Sequence, residues 1–253
     1  MKKIFALLAF AVLLLPMLGF SDGSFSFRVG YFVPRADSDL WKIEFDQMSF
    51  RKSNFQTATF GLSYECFMTR ELSLVFSADI YDRSRFGYYR DYVGVTVDKV
   101  DYAFPAAQFK GDFDITHSFG MTIVPLQASI KLTPFGRRGS VIPYVGGGVS
   151  LFLWNVRLQG DTIDFTNQFI YTDPVLGDVD VFGLTSTDAR EDTRLAVGWH
   201  AFGGVSIPFA SRAALEAEFR YNNGKGKLID AFAGFEKFDL SGFQISLGIN
   251  YWF

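Results

Sequence analysis

From Gly242 to Phe253 every second residue is apolar: Phe243, Ile245, Leu247, Ile249, Tyr251 and Phe253 alternate with Gly242, Gln244, Ser246, Gly248 and Asn250. A period of two places the two sets on opposite faces of an extended strand. A terminal segment frays unless it is paired, so this strand belongs in a sheet. The same alternation recurs along the chain. Phe25, Phe27, Val29, Tyr31 and Val33 oppose Ser24, Ser26, Arg28 and Gly30. Phe60, Leu62, Tyr64 and Cys66 oppose Thr59, Gly61, Ser63 and Glu65. Further sets run through Leu72–Ile80, Val124–Leu132, Pro143–Trp154, Val197–Ile207 and Leu215–Tyr221, giving about eight strands, with ten as the alternative.

The connections alternate in length. Thr69-Arg70-Glu71, Gly136-Arg137-Arg138-Gly139 and Ala210-Ser211-Arg212-Ala213 are short, whereas 35–54, 82–114, 157–192 and 223–238 are long. Val93, Val95 and Val97 alternate with polar residues inside one long connection, so some strands are expected to continue as hairpins.

The N-terminus carries Lys2 and Lys3, an apolar run from Ile4 to Leu15, then Pro16 and Gly19-Phe20-Ser21. A basic start, a short apolar centre and a small-x-small site describe a secretory signal peptide over residues 1–21, leaving 22–253 as one domain. Beyond it no stretch approaches the ~18 apolar residues of a spanning helix. In lipid the remaining solution is a closed antiparallel barrel, because an open edge leaves backbone groups unpaired. Aromatics form 18% of the chain, 30 of them Phe, as strands and membrane interfaces favour. A soluble calyx shares the alternation with its apolar face inward. Three features favour the membrane form: a polar face rich in Gly and Ser, the terminal Phe253, and aromatics near strand ends (Tyr31, Tyr81, Tyr144, Trp154, Trp199, Tyr221, Tyr251, Trp252). The net charge of −3 leaves no nucleic-acid footprint, and one cysteine excludes an intramolecular disulfide.

Pro143-Tyr144-Val145-Gly146-Gly147-Gly148-Val149, Gly198-Trp199-His200-Ala201-Phe202-Gly203-Gly204-Val205, Glu216-Ala217-Glu218-Phe219-Arg220-Tyr221 and the aromatic end resemble the small outer-membrane β-barrel superfamily. That group includes the transmembrane domain of outer-membrane protein A and outer-membrane proteins X and W. The resemblance implies an all-β, up-and-down transmembrane barrel in the bacterial outer membrane, with long extracellular loops and short periplasmic turns. It also implies contact with outer-membrane lipid and lipopolysaccharide, and a terminal signal (Tyr251, Phe253) read by the barrel-assembly machinery.

The residues expected to face inward with charge are Arg28, Glu65, Asp79, Lys131, Glu216, Glu218 and Arg220. In a barrel of about eight strands side chains fill the interior, and buried charges must be paired. A salt-bridged plug is therefore the leading reading and a pore the sharper one. No catalytic, cofactor or metal residue is assigned. His200 has Ser206 near it only in sequence, His117 stands beside Ser118, and Cys66 reads as a lipid-facing apolar residue. The loops offer the expected ligand surface: Arg85-Phe86-Gly87-Tyr88-Tyr89-Arg90-Asp91-Tyr92, and the acidic run with Asp161, Asp164, Asp173, Asp178, Asp180, Asp188, Glu191 and Asp192. The expected function is non-enzymatic, structural or surface-interacting. A channel for small apolar solutes is the alternative, and a lipid-modifying enzyme in the barrel the third reading.

Overall fold

The computed structural model describes residues 22–253; the expected signal peptide lies outside them. Eleven strands form one antiparallel sheet: β1 (Gly23–Pro34), β2 (Thr57–Phe67), β3 (Leu72–Tyr88), β4 (Tyr92–Val97), β5 (Val100–Pro105), β6 (Thr116–Leu132), β7 (Ile142–Asp173), β8 (Gly177–Ala210), β9 (Ala213–Gly226), β10 (Phe238–Asp239) and β11 (Gly242–Trp252). Eight of them close a ring in the order β1-β2-β3-β6-β7-β8-β9-β11, with β11 returning to β1 through pairs such as Phe27↔Ile249. The terminal strand is thus held on both sides, by β1 and by β9.

The wall has the inside-out polarity of a membrane barrel. Phe27, Val29, Tyr31, Phe60, Ile80, Ile130, Val149, Val197, Trp199, Phe219, Ile245 and Leu247 are exposed. Their strand neighbours Ser26, Arg28, Asp79, Lys131, His200, Glu218, Arg220 and Ser246 are buried. A water-exposed apolar band of that extent would aggregate; against lipid it is the stable surface. The chain is an outer-membrane-type barrel. Its short turns lie at one end with both described chain ends, the long connections at the other.

The glycine run of β7 marks close approach. A Cβ on Gly146 would lie 2.4 Å from the Phe202 ring, and one on Gly148 2.0 Å from the Ala128 carbonyl oxygen. Only a bare backbone fits there.

Four assignments of residues to the outer face change. Tyr81, Tyr144 and Trp154 are buried inside the ring, not in an interfacial belt, and half-buried Trp252 lines the lower lumen beside Lys131 and Asn250. Parity carries the signal: Tyr81 follows outward Ile80, and Tyr144 precedes outward Val145. Tyr64 and Cys66 keep their outward parity but are buried rather than lipid-exposed. The Phe253 ring stacks on Tyr64 at 6.0 Å.

The long connections are more ordered than loops. β7 and β8, 32 and 34 residues long, far exceed the ~9–11 a membrane requires, so the 157–192 segment is a rising hairpin. β4 and β5 form a second hairpin, whose turn residues Asp98 and Lys99 both have positive φ, the geometry that two-residue hairpins prefer. It joins β8 through Tyr102↔Gly183 and Ala103↔Phe182. Helix α1 (Asp39–Gln47) and a 3₁₀ turn (Lys52–Phe55) occupy the first connection. Neither is an expectation of the sequence.

Candidate functional site: a spanned lumen, an aromatic cap and a tower

The lower lumen is a continuous polar network. Arg220 on β9 carries its guanidinium across the ring to β3, the diametrically opposite strand. Its Nη1 donates to Ser77 Oγ at 3.2 Å and meets Asp79 Oδ2 at 3.3 Å; it also bonds Gln127 of β6. Its Nη2 and Nε reach Glu218 Oε1 at 2.7 and 3.0 Å. Arg28 holds Asp79 at 2.9 Å and Glu218 at 3.5 Å, and Gln244 donates to Asp79 at 3.1 Å. Nearer the short turns, Lys131 joins Glu65 at 2.8 Å and Glu216 at 3.4 Å, above the Tyr144 ring. Ser26 and Asn250 donate to Glu216 at 2.8 and 3.1 Å. Each of Arg28, Glu65, Asp79, Lys131, Glu216, Glu218 and Arg220 is therefore buried against an opposite charge. A cavity of about 20 Å³ lies within this network beside Lys131 and Glu216, and one of about 10 Å³ lies where Asp79 and Gln244 meet the apolar residues Phe32, Tyr81 and Phe152 above; each has room for a water molecule or so.

Arg137 closes the lower end. From its turn it donates to the Thr69 and Leu72 carbonyls at 2.6 and 3.0 Å and lies over the Phe67 ring. The sequence marks it only as a turn residue.

The upper lumen is aromatic. Trp41 of α1 is 0% exposed and stacks on Phe45 and Phe238 at 5.2 and 5.3 Å, with Phe55 and Phe119 edge-on. Phe32, Tyr81, Met121, Ile123, Phe152 and Trp154 line the wall around it. Two connections build this cap, and carboxylates clamp them together. Asp239 accepts from Arg35 Nε at 2.9 Å and the Asp37 amide at 3.0 Å. Asp39 and Glu236 accept each other's backbone amides at 2.8–2.9 Å. Asp192, 0% exposed, accepts the amides of Ile229, Asp230 and Phe232 at 3.4, 3.0 and 3.2 Å. It is thus a structural anchor, unlike the solvated carboxylates beside it in sequence. Arg83, and Arg85 and Arg90 of the arginine–aromatic segment, tie the cap to the wall: Arg83 and Arg85 donate to the Asn54 carbonyl, and Arg90 to those of Phe45 and Asp46.

The histidines sit in different environments. His200 bonds Ser129 through Nε2 at 2.7 Å and Ser150 through Nδ1 at 2.8 Å, not Ser206. His117 pairs with Glu44 of α1 at 2.9 Å, beneath Tyr89. Tyr89 is pushed up to about 12, first by burial and further by Glu44, against the Ile163 amide bonded to its hydroxyl. Among the described contacts neither imidazole joins a hydroxyl to a carboxylate, the arrangement by which a histidine activates a serine nucleophile. No group of three metal-ligating side chains occurs among the described residues.

Above the cap stands the tower of β7, β8, β5 and β4. From Asp161 to the turn, β7 rises roughly 40 Å at ~3.3 Å per residue. A small second core, Phe104, Val179 and Val181 with Val95, Tyr102, Phe109 and Tyr171, stiffens it. The tip is exposed and apolar: Val175 is 89% and Ile170 70% exposed. Between 161 and 191 seven carboxylates stand against Arg190 alone.

No protein-family model matches the chain, and no curated protein matches it. Among solved structures it is similar to outer membrane protein OprG of Pseudomonas aeruginosa, at 11% identity and TM-score 0.48, over 93% of this chain and 98% of that one. It is similar to Neisserial surface protein A at 15% identity and TM-score 0.47, over 91% and 97%. It is also similar to the attachment invasion locus protein Ail of Yersinia pestis, solved with the heparin analogue sucrose octasulfate, at 14% identity and TM-score 0.41, over 92% and 99%.

Proposed function

We propose that the protein is a non-enzymatic, non-conducting outer-membrane barrel that presents the β7–β8 tower as a surface for interaction. The reach of Arg220 from β9 to Asp79 on the opposite strand carries this reading. A bond across the full diameter, with Lys131 crossing below and Trp41 filling the space above, leaves solutes no continuous path. Pores that select by charge line an open bore with side chains of one sign; here opposite signs meet within it. Binding residues concentrate where a rigid scaffold displays exposed segments, and the tower is such a display.

Planar-bilayer recording of the purified protein tests the reading. The expected record has no discrete conductance steps. Reproducible steps abolished by cross-linking α1 to the wall would replace it with the channel reading, in which the cap acts as a gate.

A further inference from the structure

Among the described residues, β7 pairs with β6 only as far as Gly160, opposite His117. Above that point its outer edge has no strand partner. The tower's other edge is covered, since Gly94 of β4 donates to the Phe113 carbonyl at 2.9 Å and accepts from Asp112 N at 2.8 Å. Sheet edges are ordinarily blunted with Lys, Pro or a bulge. The β7 edge carries a bulge at its base, where pairing shifts between Asp164 and Gln168 and Thr166 bonds Asp164. Above the bulge, Gln168-Phe169-Ile170-Tyr171-Thr172 pairs regularly with β8 and contains no charge, proline or glycine. Its outward amides and carbonyls form a template for one more strand.

The two faces beside that edge differ. Phe169 and Tyr171 lie on one, against Tyr102 at 5.3 Å and Phe104 at 5.1 Å. Ile170 and Thr172 lie on the other, opposite Asp180 and Asp178 of β8; Thr172 Oγ1 donates to Asp178 at 2.7 Å. A strand added to β7 would lie two strand spacings, about 10 Å, from β8. Paired Lys or Arg and Asp side chains reach across that gap. Successive residues of the newcomer would meet rings on one face and carboxylates on the other.

Resting on the interaction reading above, we propose that the β7 edge binds an extended polypeptide alternating apolar residues with Lys or Arg, by strand addition. Backbone bonds give such additions their affinity and alternate side chains their specificity. A second copy of this chain is disfavoured, because it would bring the same carboxylates to the contact.

The test uses the full-length protein in a zwitterionic detergent. Fluorescence anisotropy follows dye-labelled peptides of alternating Lys and Val, or alternating Glu and Val, and hydrogen exchange follows residues 168–172. The Lys–Val peptide binds and slows exchange there; the Glu–Val peptide does not. Ile170→Lys, which charges the edge, and Asp178→Asn with Asp180→Asn each weaken binding about tenfold, the second also flattening the salt dependence. Both sites are exposed, so heat-dependent gel mobility confirms that the variant barrels remain folded. The proposal falls if neither peptide binds at about 1 mM, if both bind alike, if Ile170→Lys changes nothing, or if spermine competes without any exchange protection at 168–172. A conducting bore would overturn the non-conducting reading and leave the peptide result standing; a silent bore without peptide binding would remove only the strand addition.

Discussion

Replacing Arg220 with Ala removes the side chain that spans the ring, and the loss can be apportioned from its contacts. Asp79 keeps Arg28 at 2.9 Å and Gln244 at 3.1 Å, so it remains compensated. Glu218 does not. It loses contacts of 2.7 and 3.0 Å and retains only Arg28 at 3.5 Å and Tyr144 Oη at 3.4 Å. Breaking a buried pair by deleting one partner costs about 3–5 kcal/mol, because a charge is left uncompensated. With one of two carboxylates still satisfied, the lower end, about 3 kcal/mol, is expected. The penalty resides in the stranded charge, so Glu218→Gln in the Arg220→Ala background should recover at least ~1 kcal/mol, a coupling typical of contacting residues. Urea unfolding in phospholipid vesicles, followed by tryptophan fluorescence and heat-shifted gel mobility, reads both changes. A single-variant cost below ~0.5 kcal/mol, the range of an ordinary surface change, would refute the account of the lumen. A double variant no better than the single would refute the stranded-charge explanation.

Asp192→Ala leaves three cap amides without an acceptor; losing bonds to a charged group costs about 3 kcal/mol in total, so exchange at 227–241 should accelerate while the barrel's gel shift persists. Burial raises the Tyr89 phenol to about 12, above the ordinary tyrosine value of about 10, so the stability of its neutral form is complete below about 10 and lost as pH rises towards 12. Absorbance titration should therefore show a late-ionising phenol that disappears in Tyr89→Phe. Deleting Phe253 removes its stacking on Tyr64 and its two backbone bonds with Gly23 at the end of the β1–β11 seam, and leaves the rest of the wall paired. The deletion should lower outer-membrane yield in cells while the purified variant refolds in detergent; equal yields would dismiss Tyr251 and Phe253 as an assembly signal.

Alternation determined the wall. Strand parity is a property of neighbouring residues, so Phe243, Ile245 and Leu247 faced one way and Gln244 and Ser246 the other before any strand had a partner. The same rule placed Arg28, Asp79, Lys131, Glu218 and Arg220 inside a closed ring, and it carried the inward signal for Tyr81 and Tyr144 beside their outward neighbours. What parity cannot supply is the partner. Arg220 meets Asp79 across 141 positions of chain because eight strands and their register bring β9 opposite β3. Glu44 meets His117 because α1 turns into the mouth; Trp41, Phe45 and Met48 fall at helical spacing there, but a stretch of nine residues is too short for that pattern to stand out among the alternating strands. Of the cap's aromatics only Trp41 and Phe45, four residues apart on α1, share a local pattern; Phe55, Phe119 and Phe238 come from distant segments, and burial against one another selects their arrangement. The tower lies between these cases. Val93, Val95 and Val97 signalled a hairpin, yet only the end of β6 at Thr116 left the β7 edge bare. Faces are local and therefore legible in the sequence, whereas contacts across the ring and over its mouth exist only once the ring has closed.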